Sequence, residues 1–187
     1  MNRLSDETRR WRLSLPDREV VPFHTETYLW GYRHSSTGEV LMEPRYHYAE
    51  PFCDGLAQVR LDGRYGCIDK AGDAVIPLRY DEMWECSEGL FRVVVDRKHG
   101  FVDRTGREAV PLRYDWAYPF KNGLARVQLD GQWGCVDASG KELIPLQYDF
   151  LWYMEPHEAA PRPAGYHGRL LERGVLHIYD RSGKRIE

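Results

Sequence analysis

The sequence lacks any long hydrophobic run, and this absence excludes one class of protein. The longest uncharged apolar stretches are only a few residues long, whereas a membrane-spanning helix needs about 20 apolar residues. The first fifteen residues, MNRLSDETRRWRLSL, carry charges where a signal peptide needs an apolar segment. We therefore expect no membrane association and a cytoplasmic location.

The sequence also lacks an excess of basic charge. It has 26 Lys and Arg against 29 Asp and Glu, for a formal net charge of −3, and both signs are mixed along the chain. A nucleic-acid-binding domain usually concentrates basic side chains on one face. We therefore expect no nucleic-acid partner.

Cysteine is scarce, and its spacing matches no zinc template. The four cysteines are Cys53, Cys67, Cys86 and Cys135. We expect free thiols that pack as small hydrophobic groups, as is common for unpaired cysteine. No metal or other cofactor is predicted.

Catalytic signatures are missing as well. The sequence has no G-x-S-x-G elbow, no phosphate-cradling glycine loop and no H-E-x-x-H. We expect a protein that is not an enzyme. An enzyme stays as an alternative, because catalytic residues can assemble from distant positions.

What the sequence does contain is a repeat. Residues 55–86, 89–120 and 123–154 align without gaps at a period of 34, and the first and third copies are identical at 17 of 32 positions. A period of this length is typical of one supersecondary unit that stacks several times, so that each copy relies on its neighbours for a core.

Each copy begins like a β-hairpin. Residues 56–61 alternate apolar and polar side chains, which is typical of a half-buried strand. Asp62 and Gly63 then predict a tight turn, because glycine accepts a positive φ, and the third copy has the same pair. The second copy has Asp96-Arg97 there, so we expect a longer or less regular turn.

The rest of the copy predicts two more strands, 65–69 and about 75–80. Gly66 lies inside the former, where a glycine often marks the close approach of another backbone or ring. Asp69 stands three residues before a glycine, which is typical of a turn carboxylate. Pro77 predicts that the last strand is kinked or at a sheet edge.

With about three strands per copy, we expect an all-β array. Two architectures stay open, an open spiralling stack of hairpin units and a small closed β-propeller. We favour the open stack, because familiar propeller units are longer, at about 40–50 residues.

The repeat motif, G-L-A-x-V-x-L-D-G-x-[YW]-G-C-[IV]-D-x-x-G-x-x-x-[IV]-P-L-x-Y-D, resembles the WG repeat family. The Trp-Gly pair and its degenerate forms are Trp30-Gly31, Tyr65-Gly66, His99-Gly100 and Trp133-Gly134. The resemblance implies an all-β scaffold, found mostly in bacteria, that mediates protein contacts and shares no catalytic residues.

We expect one domain over residues 1–187. Residues 1–28 predict an N-terminal cap with a lone strand of the third type, and 29–154 are the WG-like repeats. Residues 155–187 predict a degenerate last repeat with an irregular insertion at 155–174, as atypical terminal copies often serve as caps.

Three sets of side chains are candidate partner-binding groups, because regular repeats place equivalent residues in files. One file lies directly before the tyrosine of each copy and consists of Arg45, Arg79, Arg113 and Gln147. A second file consists of Gln58, Arg92 and Arg126. The aromatic residues of the connections are Trp84, Trp116, Tyr118, Trp152 and Tyr153.

Guanidinium groups recognise carboxylates in a bidentate manner, and Trp, Tyr and Arg are enriched at interface hot spots. The sequence therefore predicts a non-catalytic scaffold that binds another protein or peptide, with an acidic segment as the natural complement. A solvated outer face and inter-repeat packing stay as alternative roles for these residues. Unpaired edge strands allow either a monomer or an edge-paired dimer.

Two other functions stay open. One is an immunity or antitoxin-type inhibitor of a partner toxin, which the small size and acidic balance fit. The other is an enzyme or secreted effector with its site in the 155–174 insertion, where His157 and His167 lie. Insertions on a rigid scaffold frequently carry function, although a surface loop is the simpler expectation.

Overall fold

The computed structural model describes residues 4–154, 165–170, 175–180 and 182–186. In these residues the protein has one α-helix, α1 (Asp6–Ser14), a 3₁₀ turn (Asp17–Glu19) and eighteen strands. The strands are β1 (Val20–His24), β2 (Trp30–His34), β3 (Val40–Tyr46), β4 (Tyr48–Ala49), β5 (Ala57–Leu61), β6 (Arg64–Ile68), β7 (Ala74–Tyr80), β8 (Glu82–Ser87), β9 (Leu90–Val95), β10 (Lys98–Asp103), β11 (Glu108–Tyr114), β12 (Trp116–Ala117), β13 (Leu124–Leu129), β14 (Gln132–Asp137), β15 (Glu142–Tyr148), β16 (Phe150–Met154), β17 (Gly165–Leu170) and β18 (Val175–Tyr179). No helix among the described residues is long and apolar enough to cross a membrane.

The strands form five antiparallel sheets, each built from consecutive strands. In chain order the sheets are β1-β2-β3, β4-β5-β6-β7, β8-β9-β10-β11, β12-β13-β14-β15 and β16-β17-β18. The predicted all-β repeat array is confirmed. The choice between an open stack and a closed ring stays a prediction.

The complete sheets have four strands rather than the expected three. The aromatic connection between copies forms the additional strand, because its backbone pairs with the first strand of the following copy. Tyr48 pairs with Arg60 in one sheet, and Trp116 pairs with Gln128 in another. The connection is too short to show an alternating pattern, so the sequence gives no strand signal there.

The chain forms two compact units, which we call the first unit (Met1–Met83) and the second unit (Trp84–Glu187). Each has buried apolar clusters of its own. Tyr32, Tyr46 and Val59 are among the buried residues of the first unit, and Phe101 and Tyr114 are among those of the second.

The glycine inside the second predicted strand lies close to another backbone, as expected, and that backbone forms a bulge. In β6 and β7, Tyr65 pairs with Tyr80 but Cys67 pairs with Ile76, so β7 has two extra residues around Pro77. A Cβ on Gly66 would lie 2.5 Å from the carbonyl oxygen of Ile76. Because β7 is at the sheet edge and also bulges, both expectations for the proline strand are confirmed.

The repeated aspartates are turn residues, as predicted. Asp137 Oδ1 accepts hydrogen bonds from the backbone N–H groups of Ser139 at 2.8 Å and Lys141 at 3.1 Å. Gly140 follows with φ of +81°. The same bonds occur at Asp69, Asp103 and Asp180.

The second copy's hairpin turn differs from expectation. Asp96 and Arg97 form a two-residue turn, with Lys98 paired directly to Val95. Both turn residues have positive φ, 50° and 63°. The strand twist favours this turn type, and Arg97 adopts the left-handed conformation in the place where other copies have glycine.

The four cysteines form no disulfide bond. Cys67 and Cys135 are buried, Cys86 is half-buried and Cys53 is exposed. Burial raises the pKa of the Cys135 thiol, so this residue packs as a neutral apolar group.

The N-terminal region differs from the predicted cap. Strand β1 pairs with β2 along its whole length, so it stands in the place of a first strand rather than a lone third one. The helix α1 is not predicted by the sequence reasoning. Ser5 caps it by accepting a hydrogen bond from Thr8 N at 3.2 Å, and Asp6 and Glu7 lie in its first turn.

The C-terminal region is partly described. Residues 155–164 and 171–174 of the predicted insertion, including His157, lie outside the described residues. Residues 165–170 are not an irregular loop, since they form β17, and His167 pairs with Trp152 of β16. Strand β18 and the turn at Asp180 match the predicted degenerate copy.

Candidate functional site

The first file of predicted binding residues lies against the buried tyrosines. Each side chain is exposed and donates to the hydroxyl of the tyrosine that follows it. The bonds are Arg45–Tyr46 at 2.6 Å, Arg79–Tyr80 at 3.2 Å, Arg113–Tyr114 at 3.0 Å and Gln147–Tyr148 at 3.1 Å. These residues therefore satisfy a polar atom of the core while the rest of the side chain faces solvent.

The second file has a structural contact that the sequence does not indicate. Each side chain donates to a backbone carbonyl 25 residues later in the chain. The acceptors are Met83 for Gln58 at 3.1 Å, Ala117 for Arg92 at 2.5 Å and Leu151 for Arg126 at 2.9 Å. In the second unit this bond ties a strand of one sheet to the first strand of the next sheet.

In the second unit, aromatic rings surround these arginines. The Cζ atom of Arg92 lies 3.8 Å from the ring centroid of Trp84. The Trp84 ring is stacked with that of His99 at 6.0 Å, with an interplanar angle of 19°. Contacts between a guanidinium and an aromatic face at these distances are attractive.

The following copy repeats the arrangement with other rings. The Cζ atom of Arg126 lies 4.0 Å from the centroid of Tyr118, and Tyr118 lies 5.7 Å from Trp133. Trp116 connects the two groups, since its centroid is 4.9 Å from His99 and 6.4 Å from Tyr118.

We call this continuous set the aromatic strip, and it consists of Trp84, Arg92, His99, Trp116, Tyr118, Arg126 and Trp133. Two of its aromatic residues are exposed to solvent, Trp116 at 43% and Tyr118 at 39%. Arg92 and Arg126 are half-buried, and their Cζ atoms lie 5.9 Å from the Trp116 centroid and 4.0 Å from the Tyr118 centroid, respectively. The strip therefore presents flat apolar faces with positive charge between them.

His99 is the neutral member of the strip. Its side chain is only 5% exposed, and its Nδ1 has no hydrogen-bond partner among the described residues. Burial is the largest influence on the His99 pKa and lowers it, and the Arg92 charge lowers it further, although Asp115 acts in the opposite direction. The imidazole is therefore neutral at pH 7, and the charge of the strip comes from its arginines.

The first unit has a weaker counterpart. Tyr48, which is 37% exposed, lies 6.1 Å from Tyr65, and the Arg60 Cζ atom lies 5.5 Å from the Tyr65 ring. The positions equivalent to Tyr118 and Arg126 are Glu50 and Gln58. Because neither residue is an arginine or an aromatic, these two positions form no guanidinium–ring contact in the first unit.

The structure brings together only part of the predicted aromatic set. Trp84, Trp116 and Tyr118 belong to the strip, whereas Trp152 is half-buried on β16. Tyr153 also lies on β16, but its side chain is outside the described residues. Sequence reasoning did not select His99 and Trp133. The signal was present, because both occupy the Trp position of the Trp-Gly pair.

The described residues hold no group of three or more His, Cys, Asp or Glu side chains placed to bind a metal ion.

Comparison with known proteins identifies the repeat. The model for the "WG containing repeat" family matches four consecutive segments, residues 30–65, 65–98, 100–133 and 133–155. The chain belongs to this family. Each WG repeat segment starts on the strand that carries the Trp-Gly position, and the first three extend to the next such strand, so a segment spans parts of two adjacent sheets.

A search of curated proteins finds no match. Among solved structures, this WG repeat chain is similar to Kluyveromyces lactis Hsv2, with a TM-score of 0.43 and 9% sequence identity. The similarity covers 91% of this chain and 60% of the Hsv2 chain. A likeness at this level carries no argument about function.

Proposed function

We propose that this WG repeat protein is a non-catalytic scaffold that binds another protein through the aromatic strip of its second unit. The observation that carries the proposal is the pair of exposed rings, Trp116 and Tyr118, that lie against arginines. Trp, Tyr and Arg dominate the energetics of protein interfaces. We also propose a cytoplasmic location in a bacterial cell, in keeping with the mostly bacterial occurrence of the family that the repeats resemble.

Contacts within the chain hold the side chains of the strip in place. Arg126 is held by its bond to the Leu151 carbonyl, and the ring of Tyr118 lies over its guanidinium. Side chains that are already fixed lose less conformational entropy on binding. This arrangement supports a preformed recognition surface.

The chemistry of the strip favours an acidic segment that also carries an apolar residue. A guanidinium has five N–H donors, of which Arg126 directs one to a backbone carbonyl. A carboxylate is the preferred partner for such a fork. The neighbouring rings offer flat faces to an apolar side chain.

The test compares variants as baits in quantitative affinity purification. Trp116→Ala and Tyr118→Ala remove the exposed rings. Tyr48→Ala is the matched control, because Tyr48 is the equivalent of Trp116 in the first unit and has similar exposure. We expect the same proteins to be captured by the wild type and by Tyr48→Ala. With each strip variant the captured amount of these proteins should be at least about tenfold lower, since a hot-spot residue contributes about 2 kcal/mol or more.

Equal capture by Trp116→Ala and the wild type, with both folded by circular dichroism, would exclude the strip. Arg79→Glu and Arg113→Glu test the first file in the same assay. Charge reversal there weakens capture if the exposed guanidiniums extend the surface, and unchanged capture removes them from it.

A further inference from the structure

A cavity of about 980 Å³ lies in the first unit, beneath helix α1. This volume is at the upper end of what small-molecule sites enclose. The cavity is bounded by α1 on one side and by residues of β3, β5, β6 and β7 on the other. It shares no residue with the aromatic strip.

Polar contacts hold α1 beside the cavity. None of the nine residues of α1 is buried. Arg9 pairs with Asp73 and lies 3.6 Å from Asp69. The chain after the helix is fixed by Lys70, whose Nζ donates to the Leu15 carbonyl. The helix therefore covers a space that its own side chains do not fill.

The floor of the cavity is apolar. Leu41, Met42 and Ile68 are buried core residues that reach it, and Leu61 and Leu78 are half-buried beside them. Covering this apolar surface with the apolar part of a ligand is favourable, because it removes the surface from water.

Six charged side chains also line the cavity, three acidic and three basic. The six are Asp6, Arg9, Arg12, Glu43, Arg45 and Asp73. Asp6, Glu43 and Asp73 are exposed to solvent, and Arg9 is paired with Asp73. Arg12 and Arg45 make no ion pair among the described residues.

Of the two arginines, Arg12 has the less satisfied hydrogen-bonding groups. Its Nε is buried without a hydrogen-bond partner in the described part of the chain. Burial lowers the pKa of the Arg12 guanidinium, against the attraction of Glu39. Arg45 donates to the Tyr46 hydroxyl at 2.6 Å and lies over its ring. A buried donor without an acceptor is costly, so an incoming anion would be favoured there.

We propose that this cavity binds a carboxylate carried on an aliphatic chain of medium length. Arg12 and Arg45 hold the carboxylate, and Leu41, Met42 and Ile68 contact the chain. Charge complementarity selects the head group, because guanidinium forks bind carboxylates in a bidentate manner. The apolar floor selects a hydrocarbon body over a fully polar anion.

The test titrates the full chain with decanoate by isothermal calorimetry, alongside decan-1-ol and acetate. Decan-1-ol keeps the chain without the charge, and acetate keeps the charge without the chain. We expect saturable one-site binding of decanoate and at least about tenfold weaker binding of the other two. Arg12→Gln and Arg45→Gln should each weaken decanoate about 10- to 100-fold, as expected for a lost charge-assisted hydrogen bond.

The variants are chosen to keep the fold. Gln147 occupies the same repeat position as Arg45 and donates to Tyr148 at 3.1 Å, so glutamine preserves the tyrosine contact. Arg79→Gln is the matched control, because Arg79 makes the same contact one copy later but does not line the cavity. It should bind decanoate like the wild type.

Three results would each overturn the proposal. These are no binding of decanoate, equal affinity for decan-1-ol, and unchanged affinity in both Arg12→Gln and Arg45→Gln. The proposal is independent of the partner-binding strip. Trp116→Ala should leave decanoate binding unchanged, so the two proposals succeed or fail separately.

Discussion

The two units share one scaffold but fill one pair of equivalent positions differently. Gln58 in the first unit and Arg126 in the second both donate to a carbonyl 25 residues later. Beside them stand Glu50 and Tyr118, respectively. The fold therefore requires a hydrogen-bond donor at the first position but neither a positive charge nor a neighbouring ring. The charge and the ring are present only at the second unit's positions of this pair, and these residue types favour the second unit as the binding surface.

The largest effect should come from the part of the scaffold that both units share. A Cβ on Gly66 or Gly134 would lie 2.5 or 2.6 Å from a carbonyl oxygen of the bulged strand. Gly66→Ala and Gly134→Ala should each lower the free energy of unfolding by about 2–3 kcal/mol, because the backbone must shift. Denaturant unfolding measures this.

Gly123→Ala is the control for that pair. Gly123 has a positive φ of 79° but open space around its α-carbon, so its cost should be smaller, at about 1 kcal/mol. Strongly unequal costs at Gly66 and Gly134 would show that the two units do not share the same close approach.

A smaller effect is expected at Arg126, where two variants separate the contribution of its hydrogen bond to stability from that of its charge. Arg126→Ala leaves the Leu151 carbonyl without its donor and should cost about 2 kcal/mol. Arg126→Gln copies Gln58, which makes the equivalent bond, and should cost less than about 1 kcal/mol. Thermal unfolding of both variants checks this, and equal losses would contradict the comparison between the units.

The sequence predicts the features that depend on local patterns and misses those that depend on distant ones. Alternating residues and turn glycines predict the hairpins, and Asp137 and Gly66 have their expected roles. The carbonyl that Arg126 reaches lies 25 residues away, which no local pattern reports. Helix α1 has no buried residue, so it shows no apolar stripe to predict it.

Acid should remove the stabilisation that the ionised turn aspartates provide. The pKa values of Asp103 and Asp137 are lowered, first by hydrogen bonds from the Thr105 and Ser139 side chains. Because the folded pKa lies below the unfolded value of about 3.9, the stabilisation is present above pH 4 and is lost as the pH falls through the folded pKa. The double variant Asp103→Asn, Asp137→Asn should lose about 1 kcal/mol at pH 7, since exposed charges contribute little.

As the pH falls below the folded pKa values, the stability of the double variant and that of the wild type should converge, and denaturant unfolding at a series of decreasing pH values measures the difference. A difference in stability that does not change with pH would mean that the carboxylate charge is not its source. Asp69→Asn provides the comparison with the first unit. Because Asp69 also lies 3.6 Å from Arg9, this variant should in addition increase hydrogen exchange in α1.

The smallest effect should come from a turn that departs from the repeat. Arg97 adopts φ of 63°, whereas Gly131 occupies the equivalent position with φ of 79°. The left-handed conformation costs an L-residue about 1–2 kcal/mol, and a glycine would avoid this cost. Part of that gain is lost, because glycine increases the conformational entropy of the unfolded chain. Arg97→Gly should therefore stabilise the protein by about 0.5–1 kcal/mol, and Gly131→Arg should destabilise it by a similar amount. A thermal midpoint that falls in Arg97→Gly would show that the arginine side chain stabilises the second unit by more than its backbone strain costs.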